Sequence, residues 1–258
     1  MIKNNFNIAA IAAGMLVALT SAKATVVDLT TANEGSITNQ YGTAVFQFTQ
    51  PQPTGTGVIQ PFLRVQGSPT EEGYNTSGTP QFDTKAGIFT HDIQFSDLQS
   101  TTVMLDGTSY FKILLDVNEP NGNKSDISLD SLRFYTSATG SQSTTDIASL
   151  GTLRYDLDAG GDNSVLFDAS RNSGSGSGDA YFYIPTDAFA GTNSTDYVYM
   201  YVAFGMDSAS EGGFEEFALV QNMTPVPEMS ALFPIVGLIV AVGSTHVLRR
   251  RKQALASV

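Results

Sequence analysis

Three carboxylates and one amide fall within eight residues at Asp156-Leu157-Asp158-Ala159-Gly160-Gly161-Asp162-Asn163, with glycines at the bend. Such a turn offers oxygen ligands, which is the chemistry of a hard cation taking about six to eight of them, so Asp156, Asp158 and Asp162 predict a Ca2+ site. Aligned with an EF-hand loop, the three aspartates occupy positions one, three and seven, and Gly161 takes the turn position. Gly160 leaves position five without a side-chain ligand, and Phe167 stands where the closing glutamate belongs. A second acidic turn at residues 116–123 (DVNEPNGN) has a similar composition. Aspartate, asparagine and glycine are also the ordinary residues of β-turns, so both segments also read as plain hairpin connections.

Nucleophilic hydrolysis finds little material. Between the two chain ends the only histidine is His91, beside Asp92, and His246 falls in a C-terminal apolar run. A Ser-His-Asp arrangement must therefore use His91, and the serines of residues 174–178 (GSGSG) lack the G-x-S-x-G order of a nucleophile elbow. The adjacent acids Glu215 and Glu216 bring glycosidase carboxylates to mind, which face one sugar about 5–10 Å apart. Neighbours on a strand point to opposite faces, so these two cannot act as such a pair, and the segment reads as an ordinary strand. No catalytic residue is predicted. Tyr135, Tyr155, Tyr181, Tyr183, Tyr197, Tyr199 and Tyr201 supply aromatic faces able to stack on sugars, although the chain has no tryptophan. Tyr197, Tyr199 and Tyr201 alternate along one strand and share a face, which fits a flat sugar platform and equally a buried cross-strand ladder.

The elements that must position these groups read as strands. Runs rich in Val, Ile, Thr, Phe and Tyr recur at 44–49, 58–65, 93–98, 102–105, 110–117, 127–135, 152–157, 165–168, 180–184, 197–204 and 214–220. Frequent turns between them predict an all-β chain folded as a single β-sandwich of jelly-roll type over residues 25–224. Residues 51–57, 67–80, 137–145 and 172–178 read as loops. Away from the two ends, helix is expected only as one or two short turns, with a proline-led candidate at 185–189.

Composition narrows the function. Between the ends, 7 basic residues face 24 acidic ones, a net charge near −17. Such a surface repels nucleic acid and attracts cations, so nucleic acid is excluded as a partner. With no cysteine in the chain, disulfides and thiolate chemistry are excluded as well.

The ends predict an address. Lys3, the apolar residues 8–19 and the small residues Ala22 and Ala24 form a signal peptide over residues 1–24, implying the Sec translocon and signal peptidase as partners. Near the other end, Val226-Pro227-Glu228 precedes an apolar run at residues 229–248, and Arg249-Arg250-Arg251-Lys252 closes it. Twenty residues at about 1.5 Å each cover the ~30 Å hydrocarbon core of a bilayer. Clustered cations stay on the cytoplasmic side, which leaves the body outside.

This three-part tail at residues 225–252 resembles the PEP-CTERM sorting signal of Gram-negative bacteria, with Met229 in place of the second proline. The resemblance implies processing by an exosortase-type membrane protease, a single-pass inner-membrane intermediate, and a final location at the cell surface or outside the cell, alongside exopolysaccharide. The body is similar to ectodomains found ahead of this signal in residues 114–137 (LLDVNEPNGNKSDISLDSLRFYTS), 153–167, 197–205 and 212–220. That likeness implies a non-catalytic cell-surface or extracellular-matrix protein and transfers no catalytic residue. The alternative is a carbohydrate-binding module contacting exopolysaccharide.

Overall fold

The computed structural model describes residues 23–49, 60–120, 122, 124–172 and 178–220. In chain order the strands are β1 (Val26–Asp28), β2 (Glu34–Asn39), β3 (Gly42–Phe48), β4 (Pro61–Val65), β5 (Glu71–Tyr74), β6 (Ile93–Gln94), β7 (Thr102–Leu105) and β8 (Thr108–Val117). They continue with β9 (Asp126–Ser137), β10 (Thr152–Asp156), β11 (Ser164–Asp168), β12 (Ala180–Pro185), β13 (Tyr197–Phe204) and β14 (Glu215–Leu219). One α-helix, α1 (Phe95–Gln99), and 3-10 turns at Ile147–Leu150, Ala169–Arg171 and Thr186–Phe189 complete the described elements.

The chain is all-β, and its strands form two seven-stranded sheets. The first runs β1-β11-β9-β13-β5, with β10 on β9 and β6 on β13; the second runs β2-β3-β12-β8-β14-β4, with β7 on β8. Every pairing is antiparallel except β1 with β11. From β8 onward the chain changes sheet at β8–β9, β11–β12, β12–β13 and β13–β14.

Two-residue periodicity aims one set of side chains into a shared core. Phe111, Ile113, Leu115 and Val117 of β8 meet Val198, Met200, Val202 and Phe204 of β13 in the same buried cluster. In β9 the inward set changes parity, from Ile127 and Leu129 to Leu132 and Phe134. A bulge opposite Ala203 and Phe204 inserts one residue there. Asp130, beside the bulge, accepts hydrogen bonds from the Met206 and Asp207 amides and from Ser128 Oγ.

The structure corrects three expectations. Residues 93–98 are not one strand, because β6 gives way to α1 after two residues. Asp97 Oδ2 accepts the Gln94 amide in a capping box, and Phe95 and Leu98, three apart, both turn inward, a helical spacing that the alternation rule overlooked. Residues 67–80 are not all loop, since they contain β5, whose Tyr74 and Glu71 are buried. Helical turns number four among the described residues, more than the one or two expected, and the candidate at 185–189 is among them. The expected strand at 58–65 is described only from residue 60 and pairs from Pro61; β1 and β2 were not expected at all.

Candidate functional site

The expected calcium turn joins β10 to β11, and its oxygens are engaged by the protein itself. Asp156 Oδ1 accepts the Asp158 amide at 3.0 Å and faces Arg133 Nε at 3.2 Å. Asp158 Oδ1 accepts the Asn163 amide at 3.2 Å, and its Oδ2 lies 3.8 Å from the same guanidinium. Burial pushes the Asp158 carboxyl up to about 6, against the pull of the Asn163 amide. Asp162 is exposed, and its charge adds to the rise of the Asp158 carboxyl. Among the described residues, no three His, Cys, Asp or Glu side chains group closely enough to cage an ion by themselves.

Asn163 is the residue that shapes the turn. It is buried, its Nδ2 donates to the Leu157 carbonyl at 2.7 Å, and its Oδ1 accepts the Thr25 amide at 2.8 Å. The same side chain thus closes the turn and ties the start of β1 to it. Asn163→Ala is expected to cost about 1–3 kcal/mol, read as a lower urea midpoint at unchanged slope, because the buried Leu157 carbonyl and the Thr25 amide both lose their hydrogen bonds. A loss under about 0.5 kcal/mol would mean that the turn holds without it.

The tyrosine face proves to be a second core. Tyr199 and Tyr201 are buried with Tyr74, Tyr135 and Leu150 on the side of the first sheet away from the main core, and Tyr197 packs at the edge. The loop of residues 138–150 covers them. Tyr74 Oη donates to the Thr144 carbonyl at 2.9 Å and accepts the Thr144 amide at 2.8 Å, while Tyr199 Oη donates to the Thr139 carbonyl at 2.9 Å. Of the two arrangements their spacing allowed, the buried ladder is the one that forms. Tyr155 belongs to the main core.

His91 is half-buried, and Asp92 beside it is occupied elsewhere, accepting the Ser77 and Ser141 amides at 3.0 and 2.7 Å. Glu215 and Glu216 point to opposite faces of β14 as the strand rule requires. Glu216 pairs with Arg64, whose guanidinium also lies over the rings of Phe89 and Phe214.

Glu215 faces the core, on the same side of the strand as Phe217, and is completely buried. There it meets Glu71 of β5, from the other sheet, within hydrogen-bonding reach. Glu71 Oε2 accepts the Gly67 amide at 2.6 Å, but Glu71 Oε1 and both oxygens of Glu215 have no donor outside the pair. Glu119 stands close by, accepting Ser210 Oγ at 2.9 Å and the Glu211 amide at 3.0 Å. The loop carrying these donors presses onto residue 118, and a Cβ on Gly213 would come within 2.3 Å of the Asn118 carbonyl oxygen. Burial raises all three carboxyls, Glu215 most strongly, with Glu71 the next cause for it. Sequence reading missed Glu71 because its segment looked like loop; the signal for Glu215 was its shared parity with Phe217.

A separate open cleft of about 560 Å³ lies beside α1 and the 3-10 turn at Thr186–Phe189. Phe95, Phe111 and Phe189 are among its apolar lining residues, and Gln99, Ser109 and Asp187 among its polar ones.

The expected signal peptide, with Ala22, the motif Val226, Pro227 and Glu228, the apolar run 229–248 and the cluster Arg249, Arg250, Arg251 and Lys252 lie outside the described residues; Ala24 is described and exposed. No helix among the described residues is long and apolar enough to cross a membrane. The chain matches no family model, no curated protein and no solved structure.

Proposed function

We propose that the chain is an exported, non-catalytic cell-surface or extracellular-matrix protein, delivered by the signal peptide at residues 1–24 and sorted by a PEP-CTERM-like tail at residues 225–252. The observation that carries this reading is where the strands fall. β1 starts at Val26, just past the expected cleavage after Ala24, and β14 ends at Leu219, ahead of the motif at Val226. Removal of either end would leave every described strand intact. The repeated change of sheet from β8 onward supports a jelly-roll connection, a fold whose cohesion needs neither disulfide nor cofactor.

Mass spectrometry of the protein recovered from its native cells tests the sorting. A C-terminus close to Pro227, in material outside the inner membrane, is expected. Recovery of the chain intact to Val258 in the cytosol, with residues 1–24 still attached, would overturn the reading.

A carbohydrate-binding role is the second reading, and the cleft beside α1 favours it. Hydroxyl, amide and carboxylate groups beside phenyl rings are the groups that recognise a sugar's hydroxyls and its apolar face. A glycan array with wild type and Asp187→Ala is expected to show binding that the variant weakens by about tenfold, the effect of one charge-assisted hydrogen bond. Equal binding by both proteins would remove the cleft from consideration.

A further inference from the structure

Two glutamates that face each other in the core, Glu71 from the first sheet and Glu215 from the second, have carboxyl oxygens with no donor outside the pair. Both are at most 1% exposed. An acceptor facing an acceptor is repulsive unless something positive stands between them. The charges that act on the pair are acidic: Glu119 on both, Asp83 on Glu71 and Asp116 on Glu215. Arg64, on the strand next to Glu215, is turned to the opposite face and bound to Glu216.

We infer that Glu71 and Glu215 form a binding site for one Ca2+ ion that clamps the two sheets together at this end of the sandwich. The donor set selects the ion. Only oxygen is offered, without imidazole or thiolate, which disfavours zinc and its neighbours. Two carboxylates match a divalent charge, and each can bind through one or both oxygens as Ca2+ permits. Mg2+ demands a strict octahedron and keeps its waters, which suits a fully buried position poorly. The two side chains supply at most four oxygens, so the remaining ligands fall to backbone carbonyls and water, ordinary partners of this ion. Glu119, fixed by Ser210 and the Glu211 amide, adds negative potential beside the ion. This site is distinct from the turn at 156–162, and it does not rest on the sorting tail.

The test uses the full-length protein in mild detergent at pH 7.5, after EDTA treatment. Wild type is expected to bind one Ca2+ with Kd about 10⁻⁴–10⁻³ M, typical of extracellular modules. At 5 mM Ca2+ its Tm should rise by roughly 2–9 °C. Glu215→Gln keeps the shape and removes the charge, so it should fold in EDTA with Tm at or above wild type and show no rise with Ca2+. Asp162→Asn should keep the full rise. The idea is overturned if wild type shows no rise, which would leave the glutamates sharing a proton instead. It is equally overturned if Glu215→Gln keeps the rise while Asp162→Asn loses it. Anomalous diffraction from wild-type crystals grown in Ca2+ decides the matter without any variant: a peak between Glu71 and Glu215 supports the site, and its absence there rejects it.

Discussion

Phe182→Ala is expected to lower the unfolding free energy by about 3–5 kcal/mol, a large part of the roughly 5–15 kcal/mol that holds an ordinary domain folded. Phe182 lies in β12, between β3 and β8 in the second sheet, and is fully buried. Its ring meets Phe46 edge-on at 5.1 Å and Phe217 edge-on at 5.7 Å within its own sheet. Across the core it stacks on Phe167 of β11 at 6.0 Å, so one side chain joins both sheets. Rigid rings anchored on paired strands cannot close over the vacated volume, which places the substitution in the upper range for aromatic truncation. Tyr181→Ala, one residue earlier on the outer face, should cost far less. It removes chiefly the ring beneath Lys112 Nζ, 3.5 Å from its centroid, an interaction of about 0.5–1 kcal/mol. Urea unfolding of the two variants checks the ordering, and a loss below about 1 kcal/mol for Phe182→Ala would show that the aromatic cluster does not hold the sheets together.

Residue types such as these are also what made much of the fold legible. Runs of β-branched and aromatic residues mark the long strands, and they placed β8, β9, β12 and β13 within two residues of their ends, although β9 and β13 are buried on both faces. The signal fails in β5, a strand of four residues set among turn formers. In β5, Glu71 and Tyr74 are both buried among residues that read as a turn, and no local pattern could announce partners as distant as Glu215 or Thr144. The tyrosines of β13 show the same limit. Their spacing fixed a common face, but whether that face meets solvent depends on the loop at 138–150, some sixty residues away. The acidic turn was recognised as a turn from its composition. Its chemistry was decided by Arg133, which takes up Asp156 and Asp158 from the neighbouring strand. Residue types thus disclosed which groups could act, while the pairing of distant segments determined which of them meet.

Asp179 shows the same principle in a single titration, and it is expected to make the protein less stable as the solution turns alkaline. It precedes β12 and is almost fully buried; Oδ2 accepts the Val117 amide at 2.7 Å and Oδ1 accepts Asn172 Nδ2 at 3.0 Å. Burial is the largest influence on it and pushes the carboxyl up to about 8, against the Val117 amide and with the help of the Asp116 charge. A carboxyl whose folded pKa lies above its unfolded value near 3.9 binds its proton more tightly in the native state. Its contribution is therefore complete below about pH 4 and is lost progressively as pH rises through about 8. At about 1.4 kcal/mol per unit the full shift sets a ceiling of roughly 6 kcal/mol, and a loss of about 2–4 kcal/mol between pH 5 and 9 is expected. Asp179→Asn removes the ionisation but leaves one of two donors without an acceptor, costing about 1 kcal/mol at any pH. The variant should consequently be the weaker protein at pH 5 and the stronger one at pH 9. Glu71, Glu215 and Asp158 are present in both proteins and cancel in that difference. Chemical denaturation in EDTA across this range reads the crossing directly, and parallel curves would mean that Asp179 is already ionised, with its charge stabilised, in the folded protein.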